Sequence, residues 1–222
     1  MPETALKCIA SWHRHMPDWE YVIWNETNFD VTSYPYTQEA YDSKKFAFVS
    51  DVVRLKALKE QGGVYLDVDF EVYKPFDELL GDSAFAGFEG SKHNPVMMGV
   101  LGSIAGGEWV SLQLERYRDR HFIIDGRADL TTNVKFVTED MVRHGFLPNG
   151  QEQYYMDLHV YPVDYFCPRL TTGEYKRTDH TFCEPKGDAS SWAESNLKDK
   201  LFRLLPSWLR VIMIKTKRFI FG

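Results

Sequence analysis

The sequence predicts an α/β protein whose sheet is mostly parallel or mixed, and three observations carry that prediction. Residues 44–61 place Phe48, Val52, Leu55 and Leu58 at three- and four-residue spacing, the period of a helix with a buried face. Gly62 stops that helix, and the apolar run Val64-Tyr65-Leu66 follows at once as a strand. The same alternation of helical pattern and short apolar run recurs along the chain, as it does when helices cover a sheet. At 222 residues, 44% hydrophobic and 15% aromatic, the chain is long enough for one domain with a sizeable core.

Taken in order, residues 2–16 read as an amphipathic helix with Leu6, Ile9 and Trp12 on one face. Tyr21-Val22-Ile23-Trp24 is a short apolar strand, ended by the polar Asn25-Glu26-Thr27-Asn28. After the helix at 44–61, one strand is expected to run through Asp67 and Asp69. Residues 84–88 form the next apolar segment, beyond Pro75 and Gly81. Residues 108–120 and 134–144 are further helices, the second closed by Gly145, and residues 159–166 return to strand character. In sheets of this class ligands sit at the carboxyl ends of strands, where Asp67 and Asp69 fall.

The formal charge of −6 gives no general attraction to nucleic acid, whose binding rests on neutralising phosphates. That charge is unevenly placed. Residues 197–222 hold seven bases against Asp199, a net of +6, leaving −12 on the first 196 residues. We therefore divide the chain into a domain at 1–196 and a basic amphipathic tail at 197–222. Within the tail, Trp208, Phe219 and Phe221 lie among Arg210, Lys215, Lys217 and Arg218. The expectation is an interfacial helix on anionic lipid, set against a final helix packed on the protein's own core. No apolar window is long enough to span a bilayer, and the N-terminus does not resemble a signal peptide. Three scattered cysteines, Cys8, Cys167 and Cys183, form no disulfide framework and suggest a reducing compartment. A cytoplasmic protein, peripheral at the inner face of the cell membrane, is the expectation.

Asp67 and Asp69, one residue apart in a strand, would point the same way. Carboxylates that close repel unless a cation lies between them, and hard oxygen ligands suit Mg²⁺ or Mn²⁺. Asp67, Asp69, Glu71 and Glu78 also match positions of an EF-hand loop, but Val72 stands where that loop needs glycine. A glycosidase pair would flank its sugar from several ångströms apart, which neighbours on one strand cannot do. On the preceding helix, Asp51 and Arg54 share a face. They are read either as a surface ion pair of little worth or as groups for sugar hydroxyls and a diphosphate.

Ser50-Asp51-x-x-Arg54, followed by Gly62-Gly63-x-Tyr65-Leu66-Asp67-x-Asp69-x-Glu71-x-x-Lys74-Pro75, resembles glycosyltransferase family 32, the sugar-binding region containing the DXD motif. Leu6-Lys7-Cys8-Ile9-x-Ser11-Trp12, Trp24-Asn25-Glu26-x-Asn28-Phe29-Asp30 and Tyr161-Pro162-x-x-Tyr165-Phe166 fit the same family, so the resemblance covers roughly residues 3 to 192. It implies a GT-A-like fold and a metal-dependent transferase that retains anomeric configuration. The donor would be a nucleotide sugar, a UDP-sugar or GDP-mannose, and the acceptor a glycan or lipid-linked glycan in cell-surface polysaccharide synthesis. Asp51, Arg54, Asp67 and Asp69 are then the catalytic set, with Asp67 and Asp69 on Mn²⁺ or Mg²⁺.

Two departures from the family pattern stand out. Members usually begin with a strand of the type Pro-Lys-Ile-Ile-His that helps form the nucleotide pocket, and Met1-Pro2-Glu3 begins just after where that strand should end. Members also often carry His-His shortly before Ser-Trp, whereas Glu184-Pro185-Lys186-Gly187-Asp188 precedes Ser191-Trp192 here. Asp188, or Glu184, is the expected third oxygen ligand, and Lys186, Ser191 and Trp192 are expected at the donor. The alternative is a truncated or non-catalytic sugar- or nucleotide-binding relative.

Overall fold

A computed structural model describes residues 3–91 and 93–187, together with the backbone of 211–215. Helix α1 (Glu3–His15) leads to β1 (Glu20–Trp24), then to α2 (Pro35–Asp42) and α3 (Phe46–Gln61). Strands β2 (Gly63–Leu66), β3 (Phe70–Val72), β4 (Ala84–Gly87) and β5 (Val100–Ser103) precede α4 (Glu108–Glu115). A small hairpin, β6 (Ile123–Ile124) and β7 (Arg127–Ala128), leads to α5 (Asn133–Arg143). Then come β8 (Gln153–Tyr155), β9 (Leu158–Tyr161), α6 (Val163–Phe166), β10 (Cys183–Pro185) and β11 (Val211–Lys215).

The main sheet runs β1-β11-β2-β5-β4-β9-β8. It is mixed, as expected, but antiparallel ladders dominate and only β4 and β9 pair in parallel. Followed through the ladders, β1, β2, β4 and β9 still share one direction, so Trp24, Leu66, Gly87 and Tyr161 end at one edge. This mixed sheet flanked by helices is consistent with a GT-A-like glycosyltransferase fold. A second sheet pairs β3 with β10 alone.

Helix α3 is the pillar of the core. Val52, Leu55, Ala57 and Leu58 have no exposed surface, and each buried leucine contributes about 1.5–3 kcal/mol. The helix ends at Gly62, whose φ of 66° and ψ of −171° suit glycine alone. A side chain there would also meet the Ala105 backbone nitrogen at 2.7 Å. That combination turns the chain from α3 straight into β2.

Four expectations need correction. In α1 the buried residues are Ala5, Cys8, Ser11 and Trp12, while Leu6 is 54% exposed. The face is rotated because α1 closes the edge of β3: the Trp12 indole donates to the Phe70 carbonyl at 2.7 Å, and Ser11 Oγ accepts from Val72 N–H at 2.8 Å. Residues 159–166 are strand only to Tyr161, since Pro162 starts α6. Asp67 and Asp69 do not lie in a strand. Strand β2 stops at Leu66, the Asp67 carbonyl accepts from Phe70 N–H at 3.1 Å, and the chain turns into β3 to pair with β10. The fourth concerns the tail. An interfacial helix was expected across it, yet residues 211–215 form β11 inside the main sheet. The run Val-Ile-Met-Ile suits a strand, and its ladders to β1 and β2 satisfy the backbone on both sides. The rest of 197–222 lies outside the described residues.

Candidate active site

The Asp67–Asp69 turn sits at the carboxyl edge of the sheet, gripped from two directions. On the sheet side, Asp67 N–H donates to the Gly99 carbonyl at 2.8 Å, continuing the ladder between β2 and β5. A side chain at Gly99 would meet the Phe70 ring at 2.7 Å and Asp67 Oδ2 at 3.0 Å, so glycine is needed for the turn to pack there. On the other side, Lys186 N–H donates to the Asp69 carbonyl at 2.8 Å, which ties the end of β10 to the turn.

Beneath the turn lies Arg54, 5% exposed. Its Nη2 lies 3.0 Å from Asp51 Oδ1 and 3.8 Å from Asp67 Oδ1. Its Nε donates to the Ser50 carbonyl at 3.2 Å, Nη2 to Ser50 Oγ at 3.2 Å, and Nη1 to the Met98 carbonyl. The guanidinium also lies 4.5 Å from the centroid of the Tyr65 ring, whose hydroxyl donates to Asp67 Oδ1. Burial opposes the arginine's charge, but Tyr65, Asp67 and Asp51 around it hold its pKa above the ordinary value. Burial pushes the Tyr65 phenol well up despite the pull of Arg54, so it stays a hydrogen-bond donor. The surface ion pair considered from the sequence is therefore a buried one, with Asp51 at 7% exposure. Arg54 faces inward and holds Asp51 and Asp67 together.

Beside the turn, β10 carries Glu184, 3% exposed, directly across from Glu71 on β3. Lys186 Nζ contacts Glu184 Oε1 and lies 2.9 Å from Glu71 Oε2. The Tyr175 hydroxyl donates to Glu184 at 2.5 Å, and the Tyr73 hydroxyl donates to Glu71 at 3.0 Å. Burial works against both carboxylates, but the Lys186 ammonium and the phenols bring them below their ordinary value. Lys186, expected at a phosphate, thus neutralises two carboxylates next to Asp69. Asp188, Ser191 and Trp192 lie outside the described residues.

The third feature is a cavity of about 30 Å³ at the end of β1 and the start of α3. It is lined by Trp24, Phe29, Tyr41, Phe46 and Val53, with Asn25 at its edge and Ser50 next to Asp51. That volume holds little more than water, so a larger ligand would lie across its mouth. The rim is preset: Asn28 Oδ1 accepts from Asn25 N–H at 2.8 Å, and Asn28 Nδ2 donates to the Ile23 carbonyl at 2.9 Å.

Residues 2–86 match the family described as glycosyltransferase sugar-binding region containing DXD motif. That match takes in Asp51, Arg54, Asp67 and Asp69. Glucan organizing enzyme 1 of Cryptococcus neoformans var. grubii serotype A is 38% identical over 87 residues, 38% of this chain and 24% of that protein. Inositol phosphoceramide mannosyltransferase 3 of Schizosaccharomyces pombe is 40% identical over 68 residues, 29% of this chain and 19% of that protein. Toxin Afp18 of Yersinia ruckeri serotype O1 is 45% identical over 47 residues, 21% of this chain and 2% of that protein. The matched regions thus span a quarter or less of each curated relative.

The oxygen set at the DXD turn is chemically suited to a divalent cation but incomplete by itself. Asp67 and Asp69 offer hard oxygens at a half-buried turn. Among the described residues, no group of three or more His, Cys, Asp or Glu could hold a metal. Two carboxylates would need oxygens from the ligand to complete the shell. Sequence reasoning missed Gly99, Met98 and Tyr175, which meet the site only through tertiary contact. Tyr65 lies inside the motif, but nothing in its spacing marks it as a partner of Asp67.

Replacing Arg54 with Met should cost about 3–5 kcal/mol in urea unfolding, because it leaves Asp51 buried without its cation. Arg54→Lys should recover only part, since one ammonium cannot serve the Ser50, Met98 and Asp51 oxygens together. The Glu184 cluster has its own signature. Glu184 is held below its ordinary 4.5, so its contribution is present above that pH and is lost as pH falls through the folded value. Lys186→Met should therefore destabilise by about 2 kcal/mol at pH 7, with the deficit shrinking towards pH 4 as Glu184 takes up a proton. A pH-independent deficit in thermal melts would contradict this.

Proposed function

We propose that this domain is a retaining, metal-dependent glycosyltransferase that moves a sugar from a nucleoside-diphosphate donor to a glycan or lipid-linked glycan. The observation that carries it is the Arg54 bridge, which sets Asp51 on the helix and Asp67 of the DXD turn around one buried cation. Asp51 would accept hydrogen bonds from sugar hydroxyls. Asp67 and Asp69 would hold Mn²⁺ or Mg²⁺, with Asp67 also near the ribose, and Asp188 is proposed as the third oxygen. Bound there, the ion supplies positive charge to the departing diphosphate. Ser191 and Trp192 are proposed at the donor as well. The nucleoside would lie over the pocket of Trp24, Phe29 and Tyr41. Trp24 Nε1 is buried there with no hydrogen-bond partner among the described residues.

Retention needs either a protein nucleophile or same-face attack. Cys8, the thiol closest in charge contact with the turn, is a poor nucleophile: burial, then Asp69 and Glu71, push it up to about 12. We favour same-face attack. The bond from the anomeric carbon to the phosphate oxygen breaks as that from the acceptor oxygen forms, and the acceptor proton passes to the leaving phosphate.

The relative named as a mannosyltransferase puts GDP-mannose beside the UDP-sugars as a donor to test. Thermal stabilisation by one donor should require Mn²⁺ or Mg²⁺, vanish in chelator and be lost in Asp69→Ala. An inverted product anomer would refute retention, and no response to any donor would favour a non-catalytic relative.

The proposed cytoplasmic setting rests on the scattered free cysteines, and its membrane-peripheral part on the bases of the tail. Strand β11 ends at Lys215 beside Glu20, at the edge of the sheet away from Asp67. A lipid-linked acceptor would therefore have to reach round to the opposite edge. Lys217→Glu with Arg218→Glu should abolish co-sedimentation with phosphatidylserine vesicles at low salt; unchanged binding would remove the membrane from the proposal.

A further inference from the structure

Strand β11 occupies a position that matters more than its length suggests. Strands β1 and β2 share no ladder with each other, and β11 lies between them. Its register pairs Val211 with Trp24 and Ile212 with Leu66. Trp24 lines the aromatic pocket, and Leu66 is the residue before Asp67. Within the sheet the two halves of the site are thus joined through two consecutive residues, while α3 links them from outside it, with Ser50 at the pocket and Arg54 at Asp67. On its other side β2 is held by β5, with Leu66 opposite Val100, and that ladder fixes the turn but says nothing about its distance from β1.

We infer that β11 is a positioning element for the donor site: Val211 and Ile212 set the spacing between the nucleoside pocket at Trp24 and the cation site at Asp67 and Asp69. This rests on the donor reading above and deepens it, since the C-terminal strand decides whether base and diphosphate can be held at once. Each half is built from its own local contacts. The pocket rim is fixed by Asn25 and Asn28, and the turn by Gly99, Tyr65 and Arg54. Loss of β11 would therefore leave α3 as their remaining link and loosen the spacing of the halves without abolishing either. Antiparallel partners approach within about 5.5 Å between Cα atoms, so one ladder transmits a fixed spacing.

The test uses the full chain, with UDP, GDP, uridine, guanosine and Mn²⁺ as probes. Proline removes the ladder N–H and is not accommodated inside a sheet. Ile212→Pro should weaken Mn²⁺-dependent binding of the nucleoside diphosphate at least tenfold, while affinities for Mn²⁺ alone and the nucleoside alone stay within about twofold. Ile212→Val should behave as wild type. A disulfide between Ile23→Cys and Ile212→Cys, which face each other in register, should form within one chain and preserve the coupled affinity. Should Ile212→Pro not fold, amide exchange on the wild type decides: nucleoside diphosphate with Mn²⁺ should slow residues 211 and 212 at least tenfold, and Mn²⁺ alone should not. Unchanged coupled affinity in a folded Ile212→Pro, unchanged exchange, or failure of the intrachain disulfide would overturn the inference. Wild-type protein that binds neither UDP nor GDP would instead sink the donor reading itself.

Discussion

A single buried cation organises this molecule. Arg54 reaches from α3 towards three separate stretches of chain: Ser50 and Asp51 on its own helix, Asp67 at the end of β2, and the Met98 carbonyl before β5. An ionised guanidinium in the interior is tolerable only when oxygens surround it, and here those oxygens come from elements that must converge. The requirement runs both ways. Asp51 and Asp67 carry negative charge at close quarters, and without Arg54 their repulsion would push helix and turn apart. The charge that permits the fold thus presets the carboxylates of the proposed donor site.

A second cluster repeats this logic on the flank. Glu71 and Glu184 face each other across β3 and β10, a like-charge cross-strand pair that would weaken the ladder. Lys186 neutralises both, and its backbone holds the Asp69 carbonyl. The acidic turn is therefore bordered by a cation already engaged with carboxylates. The sheet supplies the remaining geometry. Its parallel-running strands bring the ends of β1 and β2 to one edge, with β11 paired between them.

Much of this was legible in the chain. The helix at 46–61 shows its three- and four-residue period because one element packs against core throughout. The Gly62-Gly63 stop reads clearly because the positive φ of Gly62, combined with its extended ψ, is closed to other residues. The grouping of Asp51, Arg54, Asp67 and Asp69 was visible because a short helix-to-strand connection keeps them close whatever else the fold does. The strand through both aspartates was misread, since alternating apolar and acidic residues look alike in a strand and in two short strands joined by a turn. Only the pairing of β3 with β10, far along the sequence, breaks it at Asp67.

By itself the sequence determined the α/β class, the central helix and the DXD unit, all of which follow from local periodicity and close spacing. The tertiary structure decided what those residues face. It turned Arg54 inward to Asp67, paired Lys186 with Glu71, brought Gly99 and Met98 to the turn, and drew residues 211–215 of the basic tail into the sheet between β1 and β2. These are contacts between residues tens or more positions apart. They arise because buried charges and strand edges must find partners, and nothing in local spacing says which distant segment will supply them.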